Sequence, residues 1–278
     1  NIQYTDKAFW TVDTIYYTEV NSEKVNAYYL YNYLKLLDLS NLDTGTGVPS
    51  MTFDSYYNLN VKLPLLESQQ KIAAVLSSLD DKIALNRRIN AKLEQMAKRL
   101  YDHWFVQFDF LNENGKPYKA SGGKMVWNET LKREIPEGWK VKRLGDLIEI
   151  GNGKDHSKLQ SGNIPVYGSG GFMRRVADFL YDGESVLFPR KGTLNNIMYK
   201  NEKFWTVDTM FYSKMKIPHS VVYVYYTAKQ FDFVSMNTGT GVPSMTSIII
   251  KGLPIIKPEQ DILTSFDESV QPIYKKIY

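Results

Sequence analysis

Between Glu67 and Asn114 no glycine or proline interrupts the chain, and apolar residues return at Ile72, Leu76, Leu79, Ile83, Leu93, Ala97 and Leu100. Steps of four and three mark one face of an α-helix. Asn86 and Asn90 fall on the same stripe; a polar residue on a heptad seam lowers stability but fixes register and partner number. Taken as helix, Glu67–His103 spans about 55 Å at the α-helical rise. So long a helix with so narrow a stripe predicts a helical partner. The sequence offers one. Leu253-Pro254 repeats Leu63-Pro64, and Ile262, Phe266, Val270 and Ile273 then step helically toward the chain end. The two helices are expected to pack antiparallel, with Ile72, Leu76, Leu79, Ile83, Asn86, Asn90, Leu93, Leu100, Ile262 and Phe266 at the seam. Arg87, Arg88, Lys92 and Lys98 are expected outside it.

Elsewhere the pattern changes. Short β-like runs occur at Ile164–Tyr167, Ser185–Phe188, Ile197–Tyr199 and Phe204–Tyr212, separated by Gly151-Asn152-Gly153, Tyr167-Gly168-Ser169-Gly170-Gly171 and similar turns. Closely spaced short strands imply a curled, mainly antiparallel sheet. Tyr28–Leu37 and Val222–Phe233 read as helices. Residues 109–135, with Asn114-Gly115, Lys116-Pro117 and Gly122-Gly123, read as a turn-rich connector.

Two strings occur twice. FWTVDT stands at Phe9–Thr14 and Phe204–Thr209, and TGTGVPSMT at Thr44–Thr52 and Thr238–Thr246. The nearly equal offsets make the chain two copies of one domain, at a spacing far too long for a solenoid. Aligned this way, Asn1 matches Asn196, and a counterpart of Ile135–Asn195 is missing from the front. The expected organisation is a partial first domain at 1–62, a helix at 63–108, the connector at 109–135, a second domain at 136–252 and the start of a second helix at 253–278. The fold class is α+β: two small, mainly antiparallel β domains, the first partial, each followed by a helix, with the helices paired as an antiparallel coiled coil. Alternation within FWTVDT predicts that Trp and Val face the core; TGTGVPS reads as a rigid loop that either holds the sheet or touches a backbone common to all targets.

Composition narrows the chemistry. Zero cysteines exclude disulfides and thiolate metal sites and fit a reducing cytoplasm. No apolar window is long enough for a membrane span. The three histidines, His103, His156 and His219, show no metal-site spacing. No phosphate-binding Walker loop, nucleophile elbow or Asn/Asp-Pro-Pro-aromatic signature is present, and Gly151-Asn152-Gly153 lacks the third glycine of a dinucleotide fingerprint. No catalytic activity and no cofactor are expected. The net charge is +4, unevenly spread. Residues 1–66 hold 4 Lys/Arg against 7 Asp/Glu, whereas residues 136–252 hold 15 against 10. An anionic partner belongs on the second copy. Its candidate contacts are Lys154, His156 and Lys158 in one loop; Tyr167, Ser169, Arg174 and Arg175 around a glycine-rich turn; Arg190, Lys191, Thr193, Asn195 and Asn196 in a third segment; and Thr240. Cations neutralise phosphates, while Arg and Asn also present bidentate donors to base edges.

These residues resemble the specificity subunit of type I restriction–modification enzymes. The resemblance covers nearly the whole chain. Its strongest parts are NENGKPYKASGGKMVWNETLKREIPEGW at Asn112–Trp139 and IPVYGSGG at Ile164–Gly171, supported by RKGTLNNI at Arg190–Ile197, LPLLESQQKI at Leu63–Ile72 and the two repeated strings. It implies two target-recognition domains, each reading half of a bipartite double-stranded DNA site. It implies conserved helices that set the unread spacer and dock methyltransferase subunits, two per complete subunit. Restriction subunits would join through the assembled complex. The alternatives are a partial, silent copy from a rearranging locus and a coiled-coil scaffold that binds no nucleic acid.

Overall fold

The computed structural model describes residues 2–42 and 50–277. The chain divides into two compact units, Asn1–Ile89 and Asn90–Tyr278, and the division falls inside the longest helix. The first-copy loop expected at 44–50 lies, except for Ser50, outside the described residues.

The first unit is held by polar contacts and by aromatic pairs such as Tyr4–Tyr28 and Tyr16–Phe53. Helix α1 (Ala27–Lys35) begins where the Asn26 side chain accepts the Tyr29 amide. A short helix α2 (Phe53–Tyr57) begins where the Thr52 hydroxyl accepts the Ser55 amide. Both are ordinary N-caps. Helix α3 (Leu66–Tyr101) follows Leu63-Pro64 as expected. In its first turn the buried Gln69 side chain accepts the Asn26 amide at 2.9 Å and donates to the carbonyls of Lys24 and Pro64. This amide, bonded at both ends, ties the start of α1 to the start of α3. Among the described residues of this unit only Ala73 and Gln69 are buried, and none forms a strand.

That corrects two expectations. Among the described residues the first copy forms no strand, and its FWTVDT does not face a core. Trp10 is 94% exposed, and Phe9 and Val12 are more than half exposed. The seam of α3 departs from expectation as well: Ile72, Leu79 and Ile83 remain roughly half exposed, Asn86 is exposed, and Leu76 is half-buried.

The second unit carries the core. The C-terminal end of α3 widens into a π-type turn at Asp102–Val106 that buries Trp104 and Phe105. The segment read as a plain connector then forms the β-hairpin β1 (Met125–Asn128) and β2 (Arg133–Pro136). Strand β3 (Lys140–Arg143) leads into the single turn α4 (Leu144–Leu147) and β4 (Ile148–Asn152). Next come β5 (Ile164–Gly168), β6 (Gly171–Val176), β7 (Tyr181–Pro189), β8 (Met198–Thr206) and β9 (Met210–Met215). Helices α5 (Val221–Ala228) and α6 (Ser247–Gly252), strand β10 (Pro254–Lys257) and helix α7 (Gln260–Ile277) complete the chain.

Strands β4 to β9 make one six-stranded sheet in the order β4-β9-β7-β8-β5-β6. All of its pairings are antiparallel except β5 with β8. The run Phe204–Tyr212 is two strands rather than one, broken by the turn Val207-Asp208-Thr209. Strand β8 is covered on both faces. Trp205 and Val207 pack with Val166 and Val176, while Phe204 packs with Tyr167, Leu187 and Met210. Between β7 and β9, the buried Ser185 and Ser213 hydroxyls complete the ladder: Ser213 Oγ accepts the Val186 amide, and Ser185 Oγ accepts the Ser213 amide. Unpaired buried amides would be costly, and these are paired.

Helix α7 buries Leu263, Phe266, Val270 and Tyr274, again at steps of three and four. Phe266 meets the rings of Tyr101, Trp104 and Phe105. Farther along α7, the Tyr274 hydroxyl donates to that of Tyr226, which donates to the Glu94 carbonyl. Later positions of α7 thus correspond to earlier positions of α3, the antiparallel sense expected for the pair. Of the expected seam, Leu100 and Ile262 are half-buried against this core and Phe266 is fully buried. Asn90 and Leu93 are half-buried. The apolar face of α7 is consumed by the aromatic core of the second unit.

Candidate nucleic-acid interface

The loop after β7, Arg190–Asn196, is held by both repeated strings. The amides of Arg190 and Lys191 donate to the Thr209 carbonyl at 2.8 and 3.2 Å. The Gly192 amide donates to the Pro243 carbonyl at 2.9 Å, and the Met245 amide donates to the Arg190 carbonyl at 2.8 Å. Thr209 closes FWTVDT; Pro243 and Met245 belong to TGTGVPSMT. Gly192 has φ +88°, and a Cβ there would come within 2.7 Å of Ser169 Oγ. A positive φ and a close approach together call for glycine. The Asn196 side chain donates to the Ser169 carbonyl at 2.8 Å, so the loop also rests on the β5–β6 turn. From this frame Lys191, Thr193 and Asn195 face solvent, and Thr240 is exposed on the neighbouring loop.

A second basic loop, Lys154–Gln160, is braced from beneath. The Lys154 amide donates to the Thr206 carbonyl, and the Trp205 indole N–H donates to the Lys154 carbonyl at 2.9 Å. Arg174 Nη2 donates to the carbonyls of His156 and Leu159 at 2.6 and 2.9 Å. Inside the loop, the Asp155 carboxylate accepts the Ser157 amide and hydroxyl, which hold its pKa below the usual carboxylate range. Lys154 and Lys158 remain exposed.

Several expected contacts are used differently. Tyr167 is buried, its hydroxyl donates to Glu202 Oε1 at 2.7 Å, and the Lys200 ammonium lies over its ring. Burial pushes the Lys200 pKa down. Arg174 is half-buried, with its guanidinium on loop carbonyls rather than facing outward. His156 is half-buried with its Nδ1 enclosed. Arg175 donates to the Asn163 carbonyl and lies over the Phe172 ring; Arg190 lies over Phe211. Asn195 Oδ1 accepts the Phe233 amide at 3.1 Å. Proximity in sequence to glycine turns could not distinguish cations that face out from those that fold back onto carbonyls.

Sequence reasoning also missed Phe172 and Met173, both more than half exposed on the edge strand β6 beside Arg175. Their only signal was apolar character at a glycine turn. Among the described residues, no cluster of His, Asp or Glu could hold a metal ion, and no helix is long and apolar enough to cross a membrane.

The profile described as "Type I restriction modification DNA specificity domain" matches residues 1–95 and 136–273. The chain belongs to this family. It is similar to the type I restriction enzyme MjaIX specificity subunit of Methanocaldococcus jannaschii, with 28% identity over 90% of this chain and 62% of that protein. A second relative, the HindI specificity subunit of Haemophilus influenzae, is 51% identical over 22% of this chain and 13% of its own length. The chain thus spans less than two thirds of either relative. A solved S subunit from M. genitalium aligns over 93% of this chain and 70% of its own, with 15% identity and a TM-score of 0.48. Both halves of the family match include one FWTVDT string. In the second copy the repeated strings frame two loops that carry the exposed Lys154, Lys158 and Lys191.

Proposed function

We propose that this chain is the DNA-targeting subunit of a type I restriction–modification complex, with no catalysis of its own. The second unit would read one half of a bipartite duplex site. The observation that carries this reading is the loop Arg190–Asn196, pinned by both repeated strings while Lys191, Thr193 and Asn195 face solvent. A rigid frame that presents cations and amide donors suits phosphate positioning and base-edge reading. The exposed lysines 154, 158 and 191 would neutralise phosphates. Two methyltransferase subunits per complete specificity subunit, and restriction subunits through the assembled complex, are the proposed protein partners. The half-exposed stripe Ile72, Leu79 and Ile83 is the proposed docking and pairing surface.

The deciding experiment is salt-dependent binding of the full chain to a random duplex pool, followed by sequencing of the bound fraction. An enriched sequence whose affinity falls steeply with salt is expected. Lys191→Ala should weaken binding to all duplexes and reduce the salt slope by about 1, as loss of one phosphate contact does. Incubation with DNA and S-adenosylmethionine should transfer no methyl group until a methyltransferase subunit is added. Binding that is indifferent to salt, or methyl transfer by the chain alone, would overturn the reading.

A further inference from the structure

Arg174 takes part in no ion pair with the described residues. Its guanidinium is instead spent on two backbone carbonyls three residues apart, His156 and Leu159. The Leu159 amide donates to that same His156 carbonyl, so Arg174 grips a tight turn at its closing bond. The loop is latched on either side as well, by Trp205 at the Lys154 carbonyl and by the Ala177 amide at the Gln160 carbonyl. Lys154 and Lys158 are exposed above these latches. Guanidinium is the side chain suited to this task. It is planar and always charged, and the two hydrogens of Nη2 point at fixed angles toward the two carbonyls, where a lysine offers a compact point charge on a flexible stem.

We propose that Arg174 is a positioning residue for DNA recognition. It does not touch the duplex; it holds the Lys154–Leu159 turn in one conformation, so that Lys154 and Lys158 meet phosphates as fixed charges. This rests on the DNA-targeting reading above and assigns a role within it. A preformed turn loses little entropy on binding, and only a rigid phosphate contact can hold neighbouring base readers in register. The Arg174 charge adds to the field that draws phosphate.

The test uses the full chain and two variants, Arg174→Ala and Arg174→Lys. Backbone amide exchange at Leu159 reports the turn. Competition between the duplex enriched from the random pool and a scrambled duplex of equal length reports discrimination. In Arg174→Ala, exchange at Leu159 should accelerate about tenfold while β7–β9 amides stay protected. Discrimination should fall about tenfold, comparable to losing one base-edge contact. Arg174→Lys, which keeps the charge and one donor group, should recover part of both; it is read alone if the alanine variant does not fold. Unchanged exchange at Leu159 would overturn the brace. Faster exchange with unaltered discrimination would overturn its role in recognition. Lost discrimination with unaltered exchange would mean direct contact with DNA and would overturn the proposal too. If the wild-type chain enriches no duplex, the targeting reading fails, while the exchange measurement still decides whether Arg174 holds the turn.

Discussion

FWTVDT has the same six residues in both copies and opposite environments. In the second copy Phe204, Trp205 and Val207 are buried; in the first, Phe9 is 56%, Trp10 94% and Val12 58% exposed. The strands flanking β8 explain this: β5 and β7 enclose Phe204 and Trp205, whereas none of the described residues around Phe9–Thr14 forms a strand. The end of TGTGVPSMT behaves differently: Thr52 caps α2 and Thr246 caps α6 through the same hydroxyl-to-amide bond. A helix cap needs only residues three positions away. A strand needs neighbours distant in sequence and has no stable form without them. The helices α1 and α5 tell the same story, since both form but only α5 is buried.

The largest expected contrast comes from truncating the matched phenylalanines. Phe204→Ala should destabilise the second unit by about 3–5 kcal/mol, since Phe204 fills a packed core. Phe9→Ala should change stability by less than about 0.5 kcal/mol. Denaturant unfolding of both variants checks this, and equal effects would break the comparison.

Alkaline pH should separate the units by mechanism. Burial raises the pKa of Tyr101 to about 12, and chiefly burial raises Tyr226 to about 12. Each folded pKa lies above the unfolded value near 10, so this stability is complete below about pH 10 and is lost as pH rises through 12. In the first unit, Tyr28 is raised to about 12 chiefly by its hydrogen bond to Asp80. Asp80→Asn should therefore return Tyr28 toward ordinary titration and leave Tyr101 unaffected. Tyrosinate absorbance during a pH titration reads both.

The smallest contrast concerns the matched tryptophans. Trp205→Phe removes the indole bond to the Lys154 carbonyl and should cost about 1 kcal/mol. Trp10→Phe should cost nothing measurable. Iodide should quench Trp10 fluorescence readily and Trp205 weakly; similar quenching would break the contrast between the two environments.

The long helix, parts of β5, β7, β8 and β9 and the basic loops were legible because they rest on periodicity, turn residues and charge; β4 and β6 were not, because glycines at 151, 153, 170 and 171 read as turns. The sequence also marked the repeated strings as shared, without saying what they share. In the second copy, hydrogen bonds of one loop to the Thr209 and Pro243 carbonyls and from the Met245 amide give the strings a common task, and such bonds leave no trace in local pattern. The β1–β2 hairpin was hidden for a related reason: glycine turns in 109–135 masked two strands only four residues long.

By itself the sequence determined that there are two domain copies, a helix of about ten turns and a cationic second copy, because repetition, period and charge are properties of the chain. Tertiary structure alone decided which identical residues are buried, which arginines face out and where α7 spends its apolar face. Burial and hydrogen-bond partnership depend on residues far apart in sequence. Arg174 shows this most plainly: expected from its chemistry to face DNA, it donates to the carbonyls of His156 and Leu159.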